Sequence, residues 1–159
     1  MRFSIPRLAA LAALALACTG GSPVEGDDPT LTPDSLARLH TETVLVDAIT
    51  AVPSDAYTME HVAVRNDSLH VRARFGGGCR PHEFRLLLFK TFRESYPVQS
   101  DAVLMHEANG DPCRALLTRD MSFDLKPLRD HYRQSYRTMA GIIRLRLLPP
   151  GEGTVEYRF

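Results

Sequence analysis

Leu69-His70-Val71-Arg72-Ala73-Arg74-Phe75 alternates apolar and polar side chains without a break. A period of two marks a strand with one buried face and one wet face. Asn66-Asp67, a dipeptide that tolerates positive φ, precedes it, and His61 to Val64 lies on the far side, so the three pieces predict a hairpin. The same rhythm returns downstream. Met121, Phe123 and Leu125 alternate with Ser122 and Asp124; Ile143, Leu145 and Leu147 with Arg144 and Arg146; Val155, Tyr157 and Phe159 with Glu156 and Arg158. Val44 to Ile49, Ala102 to His106 and Arg114 to Thr118 are further strand candidates, and Glu83 to Thr91 is apolar on both faces in its middle, as a central strand would be. Leu128 to Tyr136 reads as the one short helix, near 127–136, with Pro127 at a tolerated opening position. Seven to eight short strands with little helix predict an all-β fold closed as a β-sandwich over residues 41–159.

The N-terminus carries an address. Arg2 and Arg7 precede an apolar run from Leu8 to Ala17, and Ala15-Leu16-Ala17-Cys18 places small residues before a cysteine. Such a run is too short to span a bilayer and reads as a removable signal, residues 1–17. The cysteine resembles the lipobox of bacterial lipoproteins, which implies lipidation of Cys18 and anchoring to a membrane; Ala15 stands where that motif more often has Leu. Thr19, in place of Asp, implies the outer membrane by the same resemblance. Residues 18–40 then form the lipidated cysteine and a flexible tether. Thr19 to Pro33 is rich in Gly, Pro, Ser, Thr and Asp and has no apolar period, so it cannot bury enough surface to fold, and Asp34 to His40 offers at most a short helical turn.

Composition narrows the partners. Loss of Arg2 and Arg7 with the signal leaves 17 basic against 19 acidic residues in a mature chain of 142. With no basic excess to neutralise phosphates, nucleic acid is excluded as a partner. The length suits one domain with a real core.

Several local patterns recur in a fixed order: Leu69-His70-Val71, Gly77-Gly78-Cys79, His82-Glu83-Phe84-Arg85-Leu86, Leu104-Met105-His106-Glu107-Ala108-Asn109-Gly110-Asp111 and Ser122-Phe123-Asp124-Leu125. From Val62 to Phe159 the chain resembles the C-terminal domain of NigD-like lipoproteins and related bacterial lipoproteins with a Gly-Gly-Cys-x-x-His motif. That resemblance implies an immunoglobulin-like sandwich. The family carries a further N-terminal barrel for which 142 residues leave no room.

Cys79 and Cys113 lack the Cys-x-x-Cys spacing of a redox motif. In an oxidising compartment two such cysteines pair. A disulfide between them would close a loop of about 34 residues, a constraint of roughly 3.5–4 kcal/mol in the chain-entropy account. The alternative is a zinc site: Cys79-x-x-His82 and His106-x6-Cys113 together offer two thiolates and two imidazoles, a set that zinc accepts tetrahedrally. A third arrangement keeps the disulfide and uses His82 and His106, with Glu107 or Asp111, as a surface metal site. The bland reading makes His106 a satisfied, partly buried histidine behind Leu104, His82 a strand cap and Asn109-Gly110-Asp111 a turn.

Catalytic signatures are absent from the sequence. It has no Gly-x-Ser-x-Gly elbow and no His-Glu-x-x-His helix, and Gly76-Gly77-Gly78 lacks the lysine and helix of a phosphate loop and reads as a bend or bulge. The expectation is a non-catalytic binding or structural module of the cell envelope, with no cofactor and with an envelope protein or small ligand as partner. A zinc-binding envelope protein is the alternative, and an inhibitor or immunity-type lipoprotein a further one by resemblance.

Overall fold

The computed structural model describes residues 40–47 and 53–159. The expected signal, Cys18 and the tether, together with the turn expected at Asp34 to His40 except for His40 itself, lie outside these residues. The described chain forms eight strands and one helix: β1 (His40–Val46), β2 (Tyr57–Arg65), β3 (Ser68–Gly77), β4 (Glu83–Arg93), β5 (Val98–Glu107), β6 (Ala115–Asp124), α1 (Lys126–Tyr136), β7 (Ile142–Leu148) and β8 (Gly153–Arg158). One sheet has the order β1-β4-β5-β7-β8 and the other β2-β3-β6. The all-β sandwich read from the alternation is the fold.

The two sheets meet through the alternating residues. Leu69, Val71, Ala73 and Phe75 on β3 and Met121 and Phe123 on β6 are buried, and face Phe84, Leu86 and Leu88 on β4, Leu104 on β5, Leu145 on β7 and Tyr157 on β8. The β2–β3 hairpin turns where expected, with Asn66 at φ 52°. The patterns Arg114 to Thr118 and Met121 to Leu125, read separately, merge into one strand, β6, which leaves out Arg114 and Leu125 at its two ends. Arg119 stands opposite Ala73 on the register that faces the core and breaks the apolar period at that point.

Two strand pairs are parallel, β1 with β4 and β5 with β7. Parallel neighbours need a long crossover between them. Here each crossover is an excursion into the opposite sheet: the β2–β3 hairpin in the first case, β6 and α1 in the second.

Asp67, in the hairpin turn, ties three distant elements together. Its Oδ1 accepts the Tyr157 hydroxyl at 2.6 Å, its Oδ2 accepts Arg129 Nη1 at 2.5 Å, and its backbone carbonyl accepts the Leu125 N–H at 2.8 Å. Turn, start of α1 and last strand are fixed together. The Tyr157 hydrogen bond, ahead of the Arg129 charge, holds the Asp67 carboxyl below its ordinary range against the opposing effect of burial. We expect Asp67→Ala to lower stability by about 1–3 kcal/mol, because it leaves the Tyr157 hydroxyl and Arg129 without their acceptor. Urea unfolding of this variant beside Tyr157→Phe measures it; a midpoint equal to wild type for Asp67→Ala would refute the assignment.

Candidate functional site

The residues singled out in the sequence converge at one end of the sandwich, on the loop after β3 and the loop after β5. Gly76, Gly77 and Gly78 let the first loop leave the sheet. Gly78 has φ 123°, a conformation L side chains rarely adopt, and a Cβ on Gly77 would collide with the His82 ring. The second loop is the expected turn, with Asn109 at φ 53°, Gly110 at φ 64° and the Asp111 N–H donating to the Ala108 carbonyl at 3.0 Å. A Cys79–Cys113 disulfide joins the loops, with Cα atoms 5.8 Å apart. Arg80 Nη1 donates to the Asn109 carbonyl at 2.7 Å, and Asn109 Nδ2 donates to the Pro81 carbonyl at 2.9 Å.

Asp111 is the centre of the arrangement. Its Oδ2 accepts the backbone N–H groups of Gly78, Cys79 and Arg80, each at 2.9 Å, and faces His82 Nε2 at 3.2 Å; its Oδ1 accepts the Cys113 N–H at 2.8 Å. Successive backbone N–H groups pointing into one concavity form an anion nest. Here the anion is a side chain of the same chain, 1% exposed. Burial pushes the carboxyl's pKa up, but the N–H groups of Cys113, Cys79 and Arg80 and the His82 ring outweigh it and hold the group well below the usual carboxylate range.

Two histidines continue inward from this carboxylate. His82 Nδ1 lies 2.7 Å from His106 Nε2. The rings are stacked, and His106 also stacks on Phe84 with centroids 4.3 Å apart. His106 sits opposite Phe84 in the β4–β5 register, on the face that buries Leu104. Its backbone is clipped on the other side, where its carbonyl accepts the Asp55 N–H at 2.8 Å and its N–H donates to Ser54 Oγ at 3.1 Å. The proton positions follow from the partners. Ionised Asp111 can only accept, so His82 Nε2 carries hydrogen. His82 Nδ1 in the neutral ring then accepts from His106 Nε2–H. That leaves a lone pair on His106 Nδ1, which is buried and, among the described residues, has no hydrogen-bond partner. Burial, then the neighbouring His82, lowers the His106 pKa, while the backbone and charge of Asp55 and the backbone of Ala56 pull the other way.

The trio can hold a proton at a fixed place, yet His82 is 3% exposed and His106 2%, so no substrate reaches either ring. The arrangement therefore differs from a surface site built on both histidines; Glu107 is exposed and joins none of these contacts. The four-residue set of Cys79, His82, His106 and Cys113 is not brought together as ligands either. Among the described residues, the sulfurs of Cys79 and Cys113 and a carboxylate oxygen of Asp111 lie within 4.8 Å of one another, and the histidine nitrogens are not part of that group. The other histidines lie elsewhere: His40 on β1, His61 and His70 on the small sheet, and His131 on α1, stacked on Phe92 and bonded to the Lys90 carbonyl. The role of Asp111 as acceptor for the opposite loop was missed in the sequence. The available signal was its place two residues before Cys113, since a disulfide to Cys79 delivers that carboxylate to the Cys79 backbone.

Both shifts make the fold acid-sensitive, with the sign fixed by linkage. His106 is depressed from 6.5, so the unfolded chain binds its proton more readily and stability falls as pH drops below that value. Asp111 is depressed from 3.8, so its contribution is complete above that value and is lost as pH falls below it. We expect a melting temperature that declines in two stages on acidification. His106→Phe should remove the upper stage and keep the lower; Asp111→Asn should remove the lower and reduce stability at neutral pH. Calorimetry across pH checks this, and a His106→Phe profile parallel to wild type between pH 7 and the acid limb would contradict it.

No family model matches the chain, and no curated protein matches it. Solved structures do. A NigD-like immunity protein from Bacteroides caccae is 15% identical with a TM-score of 0.51, over 75% of this chain and 59% of that one. A protein of unknown function, DUF1344, from Bacteroides vulgatus is 17% identical with a TM-score of 0.45, over 76% of this chain and 55% of that one. The chain thus spans less than two thirds of the length of either. At these identities the likeness is one of fold alone: the sandwich shares its fold with the NigD-like structure.

Proposed function

We propose that this protein is a lipid-anchored, non-catalytic module of the bacterial cell envelope, held on the outer membrane through Cys18 and presenting its sandwich to an envelope protein or small ligand. The observation that carries the non-catalytic reading is the Asp111–His82–His106 trio. It has the residue types of a general-base system, yet both carboxylate oxygens accept backbone N–H groups and both rings are shut away from solvent. A catalytic base must reach the proton it removes. The support for the anchor is the Ala15-Leu16-Ala17-Cys18 sequence after a short apolar run. Two acyl chains, as lipoprotein processing supplies, suffice for stable membrane attachment without a basic patch.

Fractionation of cells producing the full chain tests the anchor: wild type should sediment with membranes and carry an acylated Cys18 as its N-terminus, whereas Cys18→Ser should be released or remain unprocessed. A soluble wild-type product with a free Cys18 thiol would overturn it. For the module itself, His82→Gln should change cellular activity only in proportion to the folded protein remaining. Loss of activity at undiminished folded abundance would instead mark His82 as catalytic.

A further inference from the structure

We propose that the disulfide loop pair is a redox-gated metal site: when the Cys79–Cys113 bond is reduced, the two sulfurs and the Asp111 carboxylate bind one thiophilic divalent cation, zinc being the best match. The proposal starts from placement. The sulfurs and a carboxylate oxygen already lie within 4.8 Å of one another, on two loops fixed by the sandwich. Ligands around a tetrahedral zinc with bonds of about 2.0–2.3 Å sit roughly 3.3–3.8 Å apart. Parting the sulfurs and drawing the oxygen in are therefore side-chain adjustments and leave the sheets in place.

The carboxylate is oriented for the role. Three backbone N–H groups and His82 hold Oδ2, whereas Oδ1 accepts one hydrogen bond, from Cys113, and keeps a lone pair free. Outer partners that fix a ligand and tune its charge are a regular part of metal sites. Two thiolates and one carboxylate around a divalent cation leave a net charge of −1, which the inward-pointing N–H dipoles of Gly78, Cys79 and Arg80 offset. Cys79 is exposed, so reductant and ion have a path, and a water completes the fourth position. Thiolates select zinc over magnesium and calcium, which prefer oxygen. The histidines stay outside the coordination sphere, with His82 behind Asp111 and His106 behind His82.

The chemistry balances. An external dithiol attacks the disulfide, two electrons enter the S–S bond, two protein thiols form and the dithiol leaves as its own disulfide. Metal binding then displaces the two thiol protons to solvent, while Asp111 contributes the negative charge it already carries. An external disulfide reverses the step: it takes the two electrons from the sulfurs and two protons from solvent, leaves as a dithiol, and the re-formed S–S bond expels the ion.

The test uses the full chain, reduced with a phosphine under anaerobic conditions and titrated with cobalt(II) and then zinc. The expected result is one ion per chain, a cobalt–thiolate charge-transfer band bleached by zinc, about two protons released per ion, and no binding before reduction. X-ray absorption of the zinc-loaded wild type should show two sulfur and two oxygen neighbours. Asp111→Asn should weaken binding by at least about tenfold, and His82→Gln and His106→Phe should keep the two-sulfur signature. Because Asp111→Asn threatens the fold, the absorption spectrum of the wild type decides independently of it. Imidazole scattering at the metal, equal binding by the oxidised chain, or no binding by the reduced chain would each overturn the proposal. Should reduction unfold the chain, one equivalent of zinc must restore its circular dichroism, and failure to do so would refute the site.

Discussion

One carboxylate holds the end of this sandwich together. Asp111 takes four backbone N–H groups from two loops that the fold brings side by side, and it does so while nearly sealed from water. Those amides belong to no sheet ladder. Without the carboxylate they would be left to solvent, since the residues that carry three of them are exposed. The glycines, the disulfide and the histidine pair all follow from accommodating that single anion: glycine so the strand end can wrap round it, the disulfide to close the wrap, and His82 to give Oδ2 a further donor. Polar groups buried this deeply are tolerated because they satisfy one another.

Much of the architecture was legible because burial on one sheet face writes a period of two into the chain. β3, β7 and β8 follow that period, and α1 begins within two residues of the pattern read for it. Strand ends were less legible. β5 continues upstream of Ala102, where Ser100 is buried in place of an apolar residue and bonds the Phe89 carbonyl, and β6 runs through Arg119. The parallel pairings could not be read at all, since alternation fixes which face a residue takes and says nothing about which strand lies beside it.

At the site, the residue types were legible and their partnerships were not. Cys79 with Cys113 follows from counting thiols in an oxidising compartment. The coupling of His82 to His106 depends on β4 and β5 lying side by side in the register that sets Phe84 against His106, a long-range fact. Asn109-Gly110-Asp111 is a turn, as its composition says, and the same aspartate serves the opposite loop, which turn chemistry alone does not encode.

The parallel pairing of β1 with β4 also shapes how the chain comes to be folded. His40 meets Glu83 and Val46 meets Phe89, so among the described strands β1 has no sheet partner until the hairpin and β4 have been made. Contacts this distant in sequence form late and slowly, because the loop must close before they reward it. A polypeptide delivered N-terminus first therefore emerges with its leading strand idle, an unsatisfied edge of the kind that recruits foreign strands. Thr41 and Glu42 on that strand remain solvated in the finished fold, and Glu42 ends beside Arg85. Polar residues at the leading edge give the waiting strand a measure of protection against mispairing until β4 arrives.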